Sequence, residues 1–121
     1  MARQIFIELY NYRDRWFEAD AAERRVFAEM VAGEVEKIAA AGAEVIAFGL
    51  NDTATDRRAA YDFFCVYTLP DAGFARTLEA GIAASGWHDY FEQVQVSGTM
   101  LSVADGLAAN VDLRVPGTAA S

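Results

Sequence analysis

The sequence has few of the residues that build disulfides, metal sites and rigid loops. Its 121 residues include one cysteine, one histidine and two prolines. Cys65 alone cannot form an internal disulfide, and a structural zinc site usually takes four cysteine or histidine ligands. The HExxH spacing of many zinc enzymes does not occur either. We therefore expect no disulfide, no bound metal and no cofactor.

Positive charge and long apolar runs are also scarce. Eighteen acidic residues against ten basic ones give a formal net charge of −8, which repels a nucleic-acid backbone or an anionic membrane surface. No apolar run approaches the roughly 20 residues needed to span a bilayer, and the sequence does not open with a secretory leader pattern. These features predict a cytoplasmic protein that contacts neither nucleic acid nor membrane.

The hydrophobic content, in contrast, is that of an ordinary globular domain. Hydrophobic residues make up 54% of the chain, and a chain of this length buries about two-thirds of its unfolded surface. One core is then sufficient, so we predict a single domain over residues 1–115. The final segment, RVPGTAAS, has no core-forming pattern, and residues 116–121 are predicted to be a tail.

Residue periodicity predicts four strands and two helices. The expected strands are residues 4–10, 43–50, 61–69 and 90–97. Helical spacing of apolar residues predicts one helix from the cap Asp20 to Gly42 and another from Asp71 to Gly86. Residues 100–110 are compatible with a short helix or an edge strand.

The order β-α-β-β-α-β is that of a ferredoxin-like α+β fold, an antiparallel sheet with its helices on one face. The other face of the sheet would then be uncovered and apolar. A contiguous apolar patch of that kind usually marks an interface. The simplest cover is a second copy of the chain, so we predict a two-fold homodimer that packs sheet on sheet.

Four segments resemble the dimeric α/β-barrel superfamily. They are IFIELY at 5–10, LNDTATDRR at 50–58, YDFFCVYTLPD at 61–71 and WHDYFEQVQVSG at 87–98. Their combination looks more closely like an uncharacterised bacterial family within it. The resemblance implies a dimeric barrel whose open sheet faces enclose a small-molecule cavity, used by cofactor-free oxygenases, isomerases, cyclases and haem-handling enzymes. The fold does not choose among these activities.

Side-chain parity predicts what would line that cavity, because successive strand residues point to opposite faces. The residues assigned to the helix-covered face are Ile5, Ile7, Leu9, Phe64, Val66, Val94 and Val96. The predicted cavity lining is Phe6, Glu8, Tyr10, Phe63, Cys65, Tyr67, Phe91, Gln93 and Gln95. The reverse register of the third strand remains open. Aromatic walls around a few polar groups are the usual form of a small-ligand site.

Glu8 and His88 are the candidate catalytic residues. A carboxylate held among aromatic side chains would lose hydration, so its pKa would rise and it could act as a general acid or base near neutral pH. Hydrogen bonding of Glu8 to Gln93 or to a dimer mate is the structural alternative. His88 is the single side chain whose ordinary pKa lies near neutrality. Its alternatives are a surface or capping role, or ligation of haem.

The loop between the second and third strands is a candidate rim for the pocket. Arg57 or Arg58 could bind a substrate carboxylate there, with Tyr61 nearby, because the planar guanidinium fits that task. Asparagine, aspartate and threonine in the same loop can equally turn the chain through side-chain hydrogen bonds. Trp87 could wall the pocket mouth or simply pack in the core.

These features together predict a small-molecule-binding homodimer. Acid/base chemistry at Glu8 without a cofactor is compatible with an isomerase, a lyase or a monooxygenase that acts on an aromatic or polyketide-like substrate. The alternative is a non-catalytic binding or interaction module in which the aromatic residues form the dimer core.

Overall fold

The fold is an α+β arrangement built on one four-stranded sheet. The computed structural model describes residues 3–114 and residue 116. Its strands are β1 (Gln4–Tyr12), β2 (Glu44–Leu50), β3 (Phe63–Leu69) and β4 (Phe91–Thr99). Its helices are α1 (Asp14–Glu18), α2 (Ala21–Ala40), α3 (Ala72–Ala84), α4 (Trp87–Tyr90) and α5 (Val103–Val111). The strands lie in the order β2-β3-β1-β4 with antiparallel neighbours throughout. The predicted α+β class and four-stranded antiparallel sheet are confirmed.

Three helices go beyond the two that periodicity predicts. The short helices α1 and α4 carry too few turns to show a period. Of the two alternatives for residues 100–110, the structure has the helix, α5. The predicted tail at 116–121 lies outside the described residues except for Pro116. None of the described helices is long and apolar enough to cross a membrane.

Both long helices begin at the aspartates that the sequence predicts as caps. The Asp20 carboxylate accepts a hydrogen bond from the Glu23 backbone N–H at 2.8 Å, and Asp71 accepts one from the Phe74 N–H at 2.7 Å. Each cap satisfies a donor that the first helical turn leaves free, and contributes about 1 kcal/mol. Gly86, with φ of 87°, separates α3 from α4 in a conformation that glycine adopts without strain.

One face of the sheet is covered by α2 and α3, and we call it the inner face. On β1, burial alternates so that Phe6, Glu8 and Tyr10 are buried and their neighbours are not. The register places Tyr67 beside Phe6 and Cys65 beside Glu8. The inner face carries all of the predicted lining residues, Phe6, Glu8, Tyr10, Phe63, Cys65, Tyr67, Phe91, Gln93 and Gln95, and the register adds Gln4, Tyr12 and Leu69.

The predicted assignment of the two faces is therefore wrong. The residues assigned to the helix side form the uncovered outer face, defined by Ile5, Ile7, Leu9, Phe64, Val66, Val94 and Val96. None of them is buried, and Val96 is 61% exposed. Alternation fixes which residues share a face. It does not fix which face the helices cover when both are apolar. The residues predicted to face the helices therefore lie on the open face, and the residues predicted to line an open-face cavity lie under the helices.

The two long helices meet the inner face differently. α3 packs closely, with Ala75 and Leu78 buried. None of the twenty residues of α2 is buried, and its apolar stripe of Val31, Val35 and Ile38 is half-buried at best. The chain therefore leaves space between α2, α3 and the sheet.

The last described helix stands apart from this core. Its apolar residues Val103, Leu107 and Val111 recur every four positions, which places them on one stripe. Leu107 is 61% exposed and Val111 is 82% exposed. The single chain thus presents two uncovered apolar surfaces, this stripe and the outer face.

Candidate ligand-binding cavity

A cavity of about 760 Å³ lies between the inner face, α2 and α3. Its volume is within the roughly 300–1,000 Å³ of most small-ligand sites. The apolar stripes of the two helices form opposite walls, and the β2 edge adds Val45 and Phe48. The helical wall residues are Met30, Val31, Val35, Ile38, Ala41, Phe74, Leu78, Gly81, Ile82 and Ala84. The walls would thus favour the apolar body of a ligand over water.

The deep end of the cavity, where the sheet forms the floor, is polar. Glu8, Tyr10, Cys65 and Tyr67 lie there side by side. Tyr10 Oη donates to Glu8 Oε1 at 2.8 Å, and Gln93 Nε2 donates to Glu8 Oε2 at 2.7 Å. Glu8 is only 1% exposed, so these bonds replace its contacts with water.

Burial and hydrogen bonding act on the pKa of Glu8 in opposite directions. Removal from water raises the pKa above its ordinary value of 4.5, while hydrogen bonds from Tyr10, Tyr67 and Gln93 lower it, and the balance is a raised pKa. A carboxyl group shifted upwards in a cavity is able to take and return a proton closer to neutral pH than an exposed one.

The neighbours of Glu8 keep their protons. Burial, together with the negative charge of Glu8, raises the pKa of both Tyr10 and Tyr67. Burial is also the main cause that raises the pKa of the Cys65 thiol to about 11. Cys65 is thus a neutral thiol and a poor nucleophile at neutral pH. Glu8 is the member of the group suited to proton transfer.

Charged side chains occur at the solvent end of the cavity. Glu34 and Lys37 of α2 both line it and form an exposed ion pair, with Lys37 Nζ 3.1 Å from Glu34 Oε1. Exposed pairs of this kind contribute little to stability. They mark where the cavity meets water.

An aromatic cluster supports the floor from one side. The Trp87 ring lies 5.1 Å from the Tyr10 ring and 4.3 Å from the Phe91 ring, measured between centroids. Phe63 lies 4.5 Å from Tyr10. Trp87 and Tyr10 line the cavity, whereas Phe63 and Phe91 lie behind them in the core, as Phe6 does at the other end of β1.

The loop residues predicted as a rim lie elsewhere. Arg58 donates from Nη2 to the Tyr61 carbonyl at 2.8 Å and from Nε to the Asp52 carbonyl at 3.1 Å, so it holds the loop together. Arg57 is exposed and has φ of 53°. Neither arginine lines the cavity, nor does Tyr61.

The remaining predicted site residues are His88, Gln93 and Gln95. His88 is exposed on α4 and does not line the cavity. Gln93 acts through its bond to Glu8, and it also donates to Gln95 Oε1 at 2.8 Å, so the pair orients the carboxylate from β4. Among the described residues no group of three or more His, Cys, Asp and Glu side chains has a geometry suited to a metal ion.

The structure therefore brings together Glu8, Tyr10, Tyr67 and Trp87 of the predicted site, and adds the helical walls that sequence reasoning misses. The signal for those walls is present as the apolar stripes of α2 and α3. It is not decisive, because a stripe that lines a cavity has the same spacing as one that packs into a core.

Comparisons with known proteins add a family and no activity. Neither the search of curated proteins nor the search of solved structures finds a match. A family model described as "Family of unknown function (DUF6616)" matches residues 3–113, nearly the whole chain. The chain belongs to this family.

Proposed function

We propose that the protein binds a small organic molecule with a largely apolar, aromatic or polyketide-like body in the cavity between α2, α3 and the inner face. The observation that carries the proposal is the cavity itself. Of the twenty residues of α2 none is fully buried, and only Phe27 and Ile38 pack against the core, although cores normally close such gaps. An apolar ligand between stripe and sheet would supply the missing contacts.

Glu8 gives this site a chemical function. A carboxyl group with a raised pKa at the floor of an apolar cavity is suited to remove a proton from one carbon of a bound molecule and return it to another. This supports a cofactor-independent isomerase or lyase. Gln93 and Tyr10 would hold the carboxylate in place. A binding protein without turnover is the alternative, and it uses the same cavity.

The assembly that fits the two uncovered surfaces is a homodimer of ferredoxin-like subunits, the dimeric α/β barrel. The strand order β2-β3-β1-β4 and the helices on one face support that topology. The outer face and the α5 stripe are both apolar and both belong to the same chain. A two-fold pair would let each copy cover the other's surfaces with its own.

Filling the cavity from within tests the binding proposal. Gly81 lies on α3 in the cavity wall, and a Cβ added there would meet no atom within 4 Å. Gly81→Leu should fold normally and gain up to about 1 kcal/mol of stability from better helix propensity. Its side chain should occupy ligand space and weaken the binding of naphthol, an aromatic probe that fits the volume, at least about tenfold in calorimetry.

Gly33→Leu is the matched control. Gly33 lies on α2, also has open space around its Cβ position, and does not line the cavity. This variant should gain the same helix propensity and bind naphthol like the wild type. Equal affinities in the wild type and Gly81→Leu, or no binding by the wild type, would contradict the proposal.

A further inference from the structure

We infer that the ligand is an uncharged molecule whose hydroxyl group donates a hydrogen bond to the carboxylate of Glu8 at the deep end of the cavity. The inference rests on the proposed function and specifies which end of the ligand faces the floor. It comes from the hydrogen-bonding capacity of the floor residues and from where the charged residues of the cavity stand.

The floor has spare capacity to accept a hydrogen bond. The two oxygens of a carboxylate together accept about four. Tyr10 Oη and Gln93 Nε2 each donate one hydrogen bond to the carboxylate of Glu8, which leaves acceptor positions free. The hydroxyl of Thr77 on the wall already donates to the Gly73 carbonyl, and that of Ser85 to the Ile82 carbonyl. These hydroxyl oxygens can still accept, but only as neutral groups. Glu8 is the enclosed carboxylate among the described lining residues, since Glu34 is exposed and paired with Lys37, so the strongest acceptor for a ligand donor lies at the floor.

The distribution of charge disfavours an anionic ligand group at that position. Lys37 is the one basic residue among the described residues that line the cavity, and it stands at the solvent end paired with Glu34. A ligand carboxylate beside Glu8 would meet a like charge in an apolar environment without a counter-ion, which costs far more than it gains.

A hydroxyl also fits better than a charged amine. The walls around the floor are apolar side chains of both helices, and an ammonium group would lose its hydration on entering. A neutral hydroxyl loses less and gains a hydrogen bond to an ionisable acceptor, which is stronger than a bond between neutral groups. Phenols, enols and aliphatic alcohols share this chemistry.

Four naphthalene probes with one body and different polar groups test the inference. They are naphthol, methoxynaphthalene, naphthoic acid and naphthylmethylamine. Calorimetry at neutral pH should show that naphthol binds the wild type about tenfold more tightly than methoxynaphthalene, the free-energy equivalent of one hydrogen bond to a charged group. Naphthoic acid and the amine should bind more weakly than naphthol.

Two variants locate the acceptor. Glu8→Gln replaces the ionisable acceptor by a neutral amide of the same shape, and should reduce the preference for naphthol over methoxynaphthalene to about threefold or less. Glu44→Gln makes the same chemical change at an exposed residue of β2 that does not line the cavity. It should retain the full preference. Thermal unfolding of both variants shows that each is folded before binding is compared.

Each contrary outcome has a separate meaning. Equal binding of naphthol and methoxynaphthalene would overturn the hydroxyl assignment and leave the cavity proposal standing, as would tightest binding of the acid or the amine. An undiminished preference in Glu8→Gln would overturn the role of Glu8 as acceptor. Failure of all four probes to bind the wild type would overturn both the inference and the proposed function.

Discussion

The two faces of the sheet are made by the same strands and have different chemistry. The inner face alternates aromatic rings with a carboxylate, two phenols and a thiol, and its central residues are buried. The outer face carries aliphatic side chains and one phenylalanine, and none of them is buried. The face that carries the carboxylate and phenols is thus the enclosed one, and the face without them is the open one, the reverse of a simple water-soluble sheet.

This inversion shows what each face is suited to. Buried polar groups are costly unless they are hydrogen-bonded, and Glu8 retains its partners Tyr10 and Gln93 at the bottom of a cavity. A surface of aliphatic side chains and one phenylalanine forms no hydrogen bonds and is suited to burial against another apolar surface. The comparison therefore separates the face that we propose binds a ligand, the ligand face, from the face that we propose pairs with a second copy, the pairing face, and each can be altered without touching the other.

The largest expected effect is on the pairing face. Ile7 lies at its centre, opposite Val66 and Val96 in the register. Ile7→Asp would place an unpaired charge from each copy in the proposed interface, and the proposed dimer should weaken by about 100-fold or more. Light scattering after size-exclusion chromatography over a concentration series measures this.

Val26→Asp is the control for that variant. Val26 is 68% exposed on α2, away from the outer face, so the same kind of change there should leave the assembly unaltered. A wild type that is monomeric at all concentrations, or an Ile7→Asp variant that stays dimeric, would contradict the pairing role of the outer face.

A smaller effect is expected from the ligand face, in the pH dependence of stability. Because the pKa of Glu8 is raised above 4.5 in the folded protein, the folded state keeps a proton that the unfolded chain loses as the pH rises past 4.5. Stability should therefore fall with rising pH between the ordinary and the raised pKa. Glu8→Gln does not titrate and should lack this contribution.

The measurement is the free energy of unfolding by denaturant from acidic to neutral pH, for both proteins. The free energy of unfolding of the wild type minus that of Glu8→Gln should decrease as the pH rises. A difference that stays constant or increases with rising pH would show that the pKa of Glu8 is not raised in the folded protein.

The smallest effect is expected outside both faces, in the loop before β3. Arg57 has φ of 53°, a conformation that costs a residue with a Cβ about 1 kcal/mol. Arg57→Gly should relieve this strain, partly offset by the greater freedom of glycine in the unfolded chain, and change stability by about 0.5 kcal/mol or less. Naphthol affinity should not change, and a loss of affinity would restore the loop as a rim of the site.

The sequence is sufficient for much of the fold and part of the site. The alternation of β1 and the caps Asp20 and Asp71 predict the elements, and parity correctly groups Glu8, Tyr10 and Tyr67 on one face. Parity cannot say that this face lies under the helices, because Ile7 and Phe6 are equally suited to a core. Nor does the stripe of α2 reveal that it faces a cavity, since that depends on how far the helix stands from the sheet.

Native mass spectrometry of the protein mixed with naphthol tests the separation of the two faces most directly, because one spectrum reports both the number of chains and the number of bound probes. The wild type should appear as two chains that retain up to one naphthol each, and Gly81→Leu as two chains without naphthol. A single chain under gentle conditions, or naphthol retained equally by Gly81→Leu, would contradict the account.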